Sequence, residues 1–161
     1  MSTHQLRPYG PADREQVLAI YSAAVHSQCP GYYSPQQVRA WAGHASPDGA
    51  VAQALERGWS LVNPVRPGSN ALAAFAVLEP IERLSLLYCD GRWSRQGRAG
   101  ALLQALEQHA RDQGVDRLRT EASQLSRPLL LRHGWQIDAE ETVLFAGVAF
   151  TRWRMVKALQ N

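Results

Sequence analysis

Lysine is almost missing from this sequence: of its 17 basic residues, only Lys157 is not arginine. The arginines crowd between Arg83 and Arg119, and the net charge is only +3. Proteins that grip nucleic acid present a broad basic face, so no nucleic-acid partner is expected, whereas one basic cluster suffices for a small phosphorylated cofactor. Cysteine is scarce too, with Cys29 and Cys89 forming neither a disulfide framework nor a C-x-x-C pair. The five histidines are scattered without zinc spacing, so no metal site is expected. No apolar run approaches the ~18 residues of a membrane span, and the opening MSTHQLRPYG lacks the apolar centre of a secretion signal. A cytoplasmic protein with no membrane partner is expected. The 161 residues suit one domain, 1–161, with a full core and no repeat or linker.

What the sequence does have is concentrated in 84–103, LSLLYCDGRWSRQGRAGALL. Leu84, Leu86 and Tyr88 alternate with Ser85, Leu87 and Cys89, the period of a strand. Asp90 and Gly91 break it, and behind the basic turn Ala99, Leu102, Leu103, Leu106 and Ala110 fall at helical spacing. Strand, glycine loop and helix in that order favour an anion: the first helical turn offers unpaired N–H groups and the positive end of the dipole. Gly97, Ala99 and Gly100 leave the backbone approachable, and Arg92, Arg95 and Arg98 can add charge-assisted contacts. A helix start that only needs small, soluble residues would read the same way. The spacing matches neither a P-loop nor a Rossmann turn.

Along the rest of the chain, 4–9 reads as a short strand and Pro11-Ala12-Asp13 as a helix start. Val17, Ile20, Tyr21, Ala24 and Val25 then form its buried stripe. Gln28-Cys29-Pro30-Gly31 ends that helix, and Ser34-Pro35 caps another through Trp41. Tyr32, Tyr33 and Trp41 either wall a small-molecule pocket or glue a mobile segment down. Ser46-Pro47-Asp48 opens a short helix to about Arg57. Strands follow at 59–63, 71–78 and 115–121, with a long helix between the last two.

The stretch Ser94-Arg95-Gln96-Gly97-Arg98-Ala99 resembles the coenzyme A loop of the GNAT acyltransferase family, [Q/R]-x-x-G-x-[G/A], with Ser94 departing at the first position. The strand Leu84–Cys89 lines up with the family's preceding strand. TEASQLSRPLLLRHGW resembles its later strand-to-helix segment. Together with YYSPQQVRAWA near the start and the closing Arg154-Met155-Val156-Lys157, these motifs are similar to a small bacterial, YafP-like subgroup, in order over most of the chain.

The resemblance implies an α/β (α+β) fold: a mixed, mostly antiparallel central sheet flanked by helices, its fourth and fifth strands splayed to admit acetyl-CoA. It implies direct acetyl transfer to an amine of a small molecule or peptide. A backbone N–H near Leu87, Tyr88 and Cys89 would polarise the thioester and that segment would hold the pantetheine. Arg95, Gln96, Gly97, Arg98, Ala99 and Gly100 would hold the pyrophosphate, with Ser123 and Arg127 along the pantetheine, and Tyr32, Tyr33 and Trp41 on the acceptor side. Acid and base are thinly supplied: Ser85 and Leu86 stand where many members carry a strand-four carboxylate, and Leu130 where many carry a tyrosine. His26, Glu79, Ser123 or water must then be considered, although Glu79, before Pro80, reads better as a solvated turn residue. A weakly active acyl-CoA-binding module and a nucleotide-binding protein remain alternatives, and both monomer and homodimer remain open.

Overall fold

The computed structural model describes residues 4–29 and 31–159. The expected helix break at Pro30 and the first three residues of the opening segment fall outside them. Among the described residues, β1 (Arg7–Pro8), β2 (Trp59–Pro64), β3 (Leu72–Leu78) and β4 (Leu84–Cys89) form one sheet in the order β1-β2-β3-β4. β5 (Arg117–Ala122), β6 (Gln136–Phe145) and β7 (Val148–Ala158) form a second, ordered β5-β7-β6. Every strand pairing is antiparallel. The backbones leading into β4 and β5 pair at the parallel bridge Arg83–Arg119, and the two strands then diverge into separate sheets, as expected for the fourth and fifth strands.

β3, LAAFAVL, is buried along its whole length because both its faces are covered. Ala74, Ala76 and Leu78 pack with Leu102, Leu103 and Leu106 of α4 (Arg98–Asp112), and the small alanines let that helix lie close. Phe75 and Val77 pack on the opposite side with Val17, Tyr21 and Val25 of α1 (Arg14–Gln28) and with α2 (Pro35–Ala42) and α3 (Ala50–Arg57). The expected stripe of α1 is buried throughout. Ser34 caps α2 reciprocally: its Oγ accepts from Gln37 N at 3.1 Å, and Gln37 Oε1 accepts from Ser34 N at 2.9 Å.

Three boundaries differ from the sequence reading. β1 is shorter than 4–9, because beyond Val62 the Asn63 side chain, rather than a backbone ladder, reaches the Gln5 carbonyl at 2.8 Å. α3 begins at Ala50, not Ser46. The chain doubles back at Gly49, where a Cβ would lie 2.5 Å from the His44 carbonyl. The fifth strand starts at Arg117, since the Val115 N–H is still held by the Ala110 carbonyl of α4 at 2.9 Å.

The closing motif has a structural explanation. Lys157 on β7 donates to Glu107 Oε1 at 2.6 Å and to the His133 carbonyl at 2.7 Å, while Trp135 Nε1 donates to Glu107 Oε2 at 3.1 Å. Glu107 is only 3% exposed. Removing one partner of a buried pair strands the other charge, which costs about 3 kcal/mol. Lys157→Met should therefore lower the melting temperature by roughly 10 °C, measured by calorimetry at neutral pH. A shift under about 2 °C would mean that Glu107 finds other compensation.

Candidate functional site

The break between the sheets originates in β4. Its register against β3 pairs Leu86 with Val77 but Leu84 with Leu78, so Ser85 is an extra residue, a β-bulge. The simple alternation read from sequence is therefore reset: Leu86 and Tyr88 face the α1 side, while Leu84, Leu87 and Cys89 join the α4 side. Asp90 N donates to the Ala73 carbonyl at 2.8 Å. Ladder alternation then turns the polar groups of Leu86 and Tyr88 toward β3 and those of Leu87 and Cys89 toward the open edge. Consistent with this, the Cys89 carbonyl accepts from Gln28 Nε2 at 2.8 Å.

The open edge faces a cleft of about 190 Å³, lined by residues that include Leu87, Tyr88, Cys89, Ala99, Ser123 and Leu130. At one end lies the start of α4. Gly97 is its N-cap in the left-handed region (φ 79°), with Arg95 also at positive φ (60°), so the loop folds tightly. No capping side chain satisfies the first amides of α4.

The three loop arginines behave differently from one another. Arg92 pairs with Asp90 at 3.0 Å and holds that carboxyl below its usual range, so its contact is internal. Arg98, 6% exposed, points back into the protein and donates to Asn63 Oδ1 at 2.7 Å and to the carbonyls of Pro64 and Val65 at 3.3 and 3.2 Å. Arg98 is thus turned inward, contrary to the sequence expectation, whereas the Arg92 side chain is 79% exposed with its charge paired to Asp90. Among the described residues, Arg95 has no such tether, Arg98 carries no carboxylate partner, and the Arg98 Nε is buried without an acceptor. A buried cation beside unpaired helix amides leaves this end of the cleft short of negative charge. A phosphorylated ligand fits that deficit.

Beyond the bulge the cleft adjoins a second cavity of about 610 Å³. Ser85, Leu86, Tyr88, Trp41, Glu121 and Ser123 line both. Tyr33, Trp41 and Phe150 form an edge-to-face cluster on its wall, with Tyr33 and Trp41 centroids 5.0 Å apart. The Tyr33 hydroxyl accepts from Gln124 N at 2.9 Å, tying α2's approach to the segment after β5. Trp41 Nε1 donates to the Tyr88 hydroxyl at 3.3 Å. Burial pushes the Tyr88 phenol up to about 12, so it stays protonated. Burial likewise raises the Cys89 thiol to about 11. The thiol therefore stays protonated at neutral pH and is a poor nucleophile.

The remaining expected residues are distributed unevenly. Glu79 lines the second cavity. Ser123 lies in the cleft, but its Oγ accepts from the Leu125 and Ser126 amides at 3.1 Å each, a local turn. His26 is exposed on α1, bonded to the Ser22 carbonyl at 2.8 Å, and lines neither cavity. Tyr32 is 61% exposed and also outside both. Arg127 stacks on Trp153, its guanidinium carbon 3.9 Å from the ring centroid. Gln96 and Gly100 belong to the loop and first turn, where a Cβ on Gly100 would meet His133 Nε2 at 3.3 Å.

Sequence reading missed Glu121, Arg83, His44 and Phe145. The alternation Leu118, Thr120, Ala122 against Arg119, Glu121 already separates the two faces of β5. His44 stacks on Phe145 with ring centroids 3.8 Å apart, although the two lie 101 positions apart in the chain.

The family model for the acetyltransferase (GNAT) domain matches residues 30–157. The chain is 30% identical to the uncharacterized N-acetyltransferase YafP of Escherichia coli K12, covering 96% of each protein. A crystal structure of a GCN5-related N-acetyltransferase from Rhodopseudomonas palustris superposes with a TM-score of 0.90 at 26% identity, covering 98% of this chain and 97% of that one. The PaiA N-acetyltransferase of Thermoplasma acidophilum, crystallised with coenzyme A, shares the fold with a TM-score of 0.75 at 15% identity, over 98% and 99% of the two chains. Fold and cleft define an acyltransferase domain. The chain belongs to the GNAT acetyltransferase family.

Burial in the cavity wall lowers the His44 pKa below its ordinary value near 6.5. Between the folded value and about 6.5 the unfolded chain therefore binds more protons, and stability falls as pH drops through that window. Melting temperatures recorded from pH 8 to pH 5 should decline less steeply for His44→Gln than for the wild type. Identical slopes would mean that His44 is as solvated folded as unfolded.

Proposed function

We propose that this chain is an acetyl-CoA-dependent N-acetyltransferase whose acceptor is an amine of a small molecule or peptide bound in the second cavity. The observation that carries this reading is the continuity of the open β4 edge: it runs from the anion-deficient start of α4, past the Ser85 bulge, to an aromatic cavity of about 610 Å³. Bound acetyl-CoA would supply a thioester as the acyl donor. The amides of Arg98, Ala99 and Gly100, with Arg95 beside them, would hold its pyrophosphate. The Leu87 and Cys89 backbone would align the pantetheine along the strand edge.

A strand-edge N–H at Leu87 is fixed in place before the reaction and would polarise the acyl oxygen, a contribution of roughly 3 kcal/mol. Tyr33 and Trp41 would exclude water from the acceptor side. Leu130, 1% exposed, puts hydrocarbon on the cleft wall where a tyrosine is common in the family. No hydroxyl at that position protonates the leaving sulfur.

Acetyl-CoA at a hundredfold excess over its dissociation constant should add about 2.7 kcal/mol of stability, and ATP should add much less. Gly97→Glu fills the left-handed N-cap with bulk and negative charge. It should remove the acetyl-CoA shift in a thermal melt, allowing for a basal loss of about 1 kcal/mol from the strained φ. An undiminished shift in the variant would take the loop out of the site. Release of free thiol in the presence of primary amines then tests transfer itself.

A further inference from the structure

The vertex where β4 leaves β5 is held by one guanidinium. Arg83 Nη2 and Nε both donate to Glu121 Oε1, at 2.6 and 3.0 Å, while Nη1 reaches the Glu79 carbonyl at 3.3 Å and Ser85 Oγ at 3.4 Å. Both hydrogens from Arg83 therefore fall on the same carboxylate oxygen. Among the described residues the other, Oε2, receives no hydrogen bond, and the cation in ion-pair range of it is Arg119 at 4.0 Å. Glu121 is the carboxylate common to the cofactor cleft and the acceptor cavity. Its side chain is 17% exposed, so water competes only partly for that oxygen.

We propose that Glu121 is a catalytic residue, with Oε2 receiving a hydrogen of the acceptor amine at the junction of the two cavities. This rests on the acetyltransferase reading of the site. An arriving ammonium is drawn to Oε2 and gives one proton to solvent, and the neutral nitrogen stays hydrogen-bonded there. As nitrogen forms its bond to the acyl carbon and the carbon–sulfur bond breaks, the nitrogen becomes positive and one of its two remaining protons acidic. Oε2 takes that proton, and the departing thiolate, which leaves with the bonding pair, receives it to give the thiol. The products are amide and free thiol, with Glu121 returned to carboxylate. Arg83 is a positioning residue: by occupying Oε1 it fixes the carboxylate plane and leaves Oε2 toward the cavities.

Glu121→Gln separates this role from the structural one. A glutamine oxygen still accepts from Arg83, whereas its NH2 group replaces an acceptor with a donor and repels an ammonium. Methylamine, butylamine and phenethylamine serve as probes, their binding to the protein saturated with coenzyme A measured by calorimetry. Thiol release from acetyl-CoA is measured in parallel. Glu82→Gln controls for the lost charge, since Glu82 pairs with Arg119 at 3.8 Å and lines neither cavity.

Glu121→Gln should weaken amine binding at least tenfold and lower kcat/KM for the amine about a hundredfold, with acetyl-CoA affinity and melting temperature close to wild type. Glu121→Asp should recover part of both. Amine binding that depends on Glu121 in a wild-type protein releasing no thiol keeps Oε2 as the amine's acceptor but overturns its catalytic role together with the acetyltransferase reading. Unchanged amine binding and turnover in Glu121→Gln overturn the inference alone. So does a loss equally large in Glu82→Gln, a loss seen in Glu79→Gln instead, or a wild type that binds none of the three amines. Should Glu121→Gln unfold, Glu121→Asp decides: full loss of amine binding in that folded, carboxylate-bearing variant also overturns it.

Discussion

Two neighbouring strands that begin side by side and then separate leave backbone groups without partners, and the rest of this structure accommodates that cost. Sheet hydrogen bonds between β4 and β5 would satisfy those groups and close the cleft. They are prevented by an extra residue, Ser85, which shifts the register of β4. At the vertex, the Thr120 hydroxyl takes the Leu84 carbonyl at 2.6 Å in place of a backbone partner, and Arg83 binds Glu121 across the gap. Polar groups near the vertex are therefore satisfied by side chains. Further along, Gln28 holds the Cys89 carbonyl, while the Leu87 groups and the Cys89 N–H line an opening where a ligand can complete them.

The same logic governs the far end of the cleft. A guanidinium buried at a helix N-terminus works against the dipole, and Arg98 offsets this with neutral oxygens from Asn63, Pro64, Val65 and Gln96. The first three bonds anchor the loop to the end of β2, so the glycine turn is rigid before any ligand arrives. Pre-organisation of this kind lowers the ordering cost of binding. It also explains why the arginine nearest the helix contributes field and rigidity rather than a direct contact, leaving Arg95 and the Asp90-paired Arg92 as the outward cations of the loop.

Local periodicity made much of this legible. The α1 stripe, the apolar run of β3 and the strand–loop–helix passage around Gly97 are each written in consecutive residues, and each forms where the pattern places it. What stayed hidden depends on partners distant in sequence. A bulge is a mismatch between two strands, so Leu84–Cys89 alone reads as plain alternation. Glu121 becomes notable only through Arg83, 38 positions earlier. The orientations of Arg92 and Arg98 were set by Asp90 and Asn63, not by the composition of the loop. The long β6–β7 hairpin, closed by Ala146 and Gly147 at φ 51° and 76°, carries Phe145 over the second cavity. Its two-residue turn with both φ positive fits the twist of the strands it joins.

The opened β4 edge offers acetyl-CoA a row of backbone groups to complete. Amide hydrogen exchange, followed by mass spectrometry with and without saturating acetyl-CoA, reads that edge directly. Peptides spanning β4 and the first turn of α4 should gain strong protection, while those from β2, already paired on both sides by β1 and β3, should change little. Protection confined to the β6–β7 hairpin, or none along β4, would contradict the claim that the opened strand edge is the acyl-donor site.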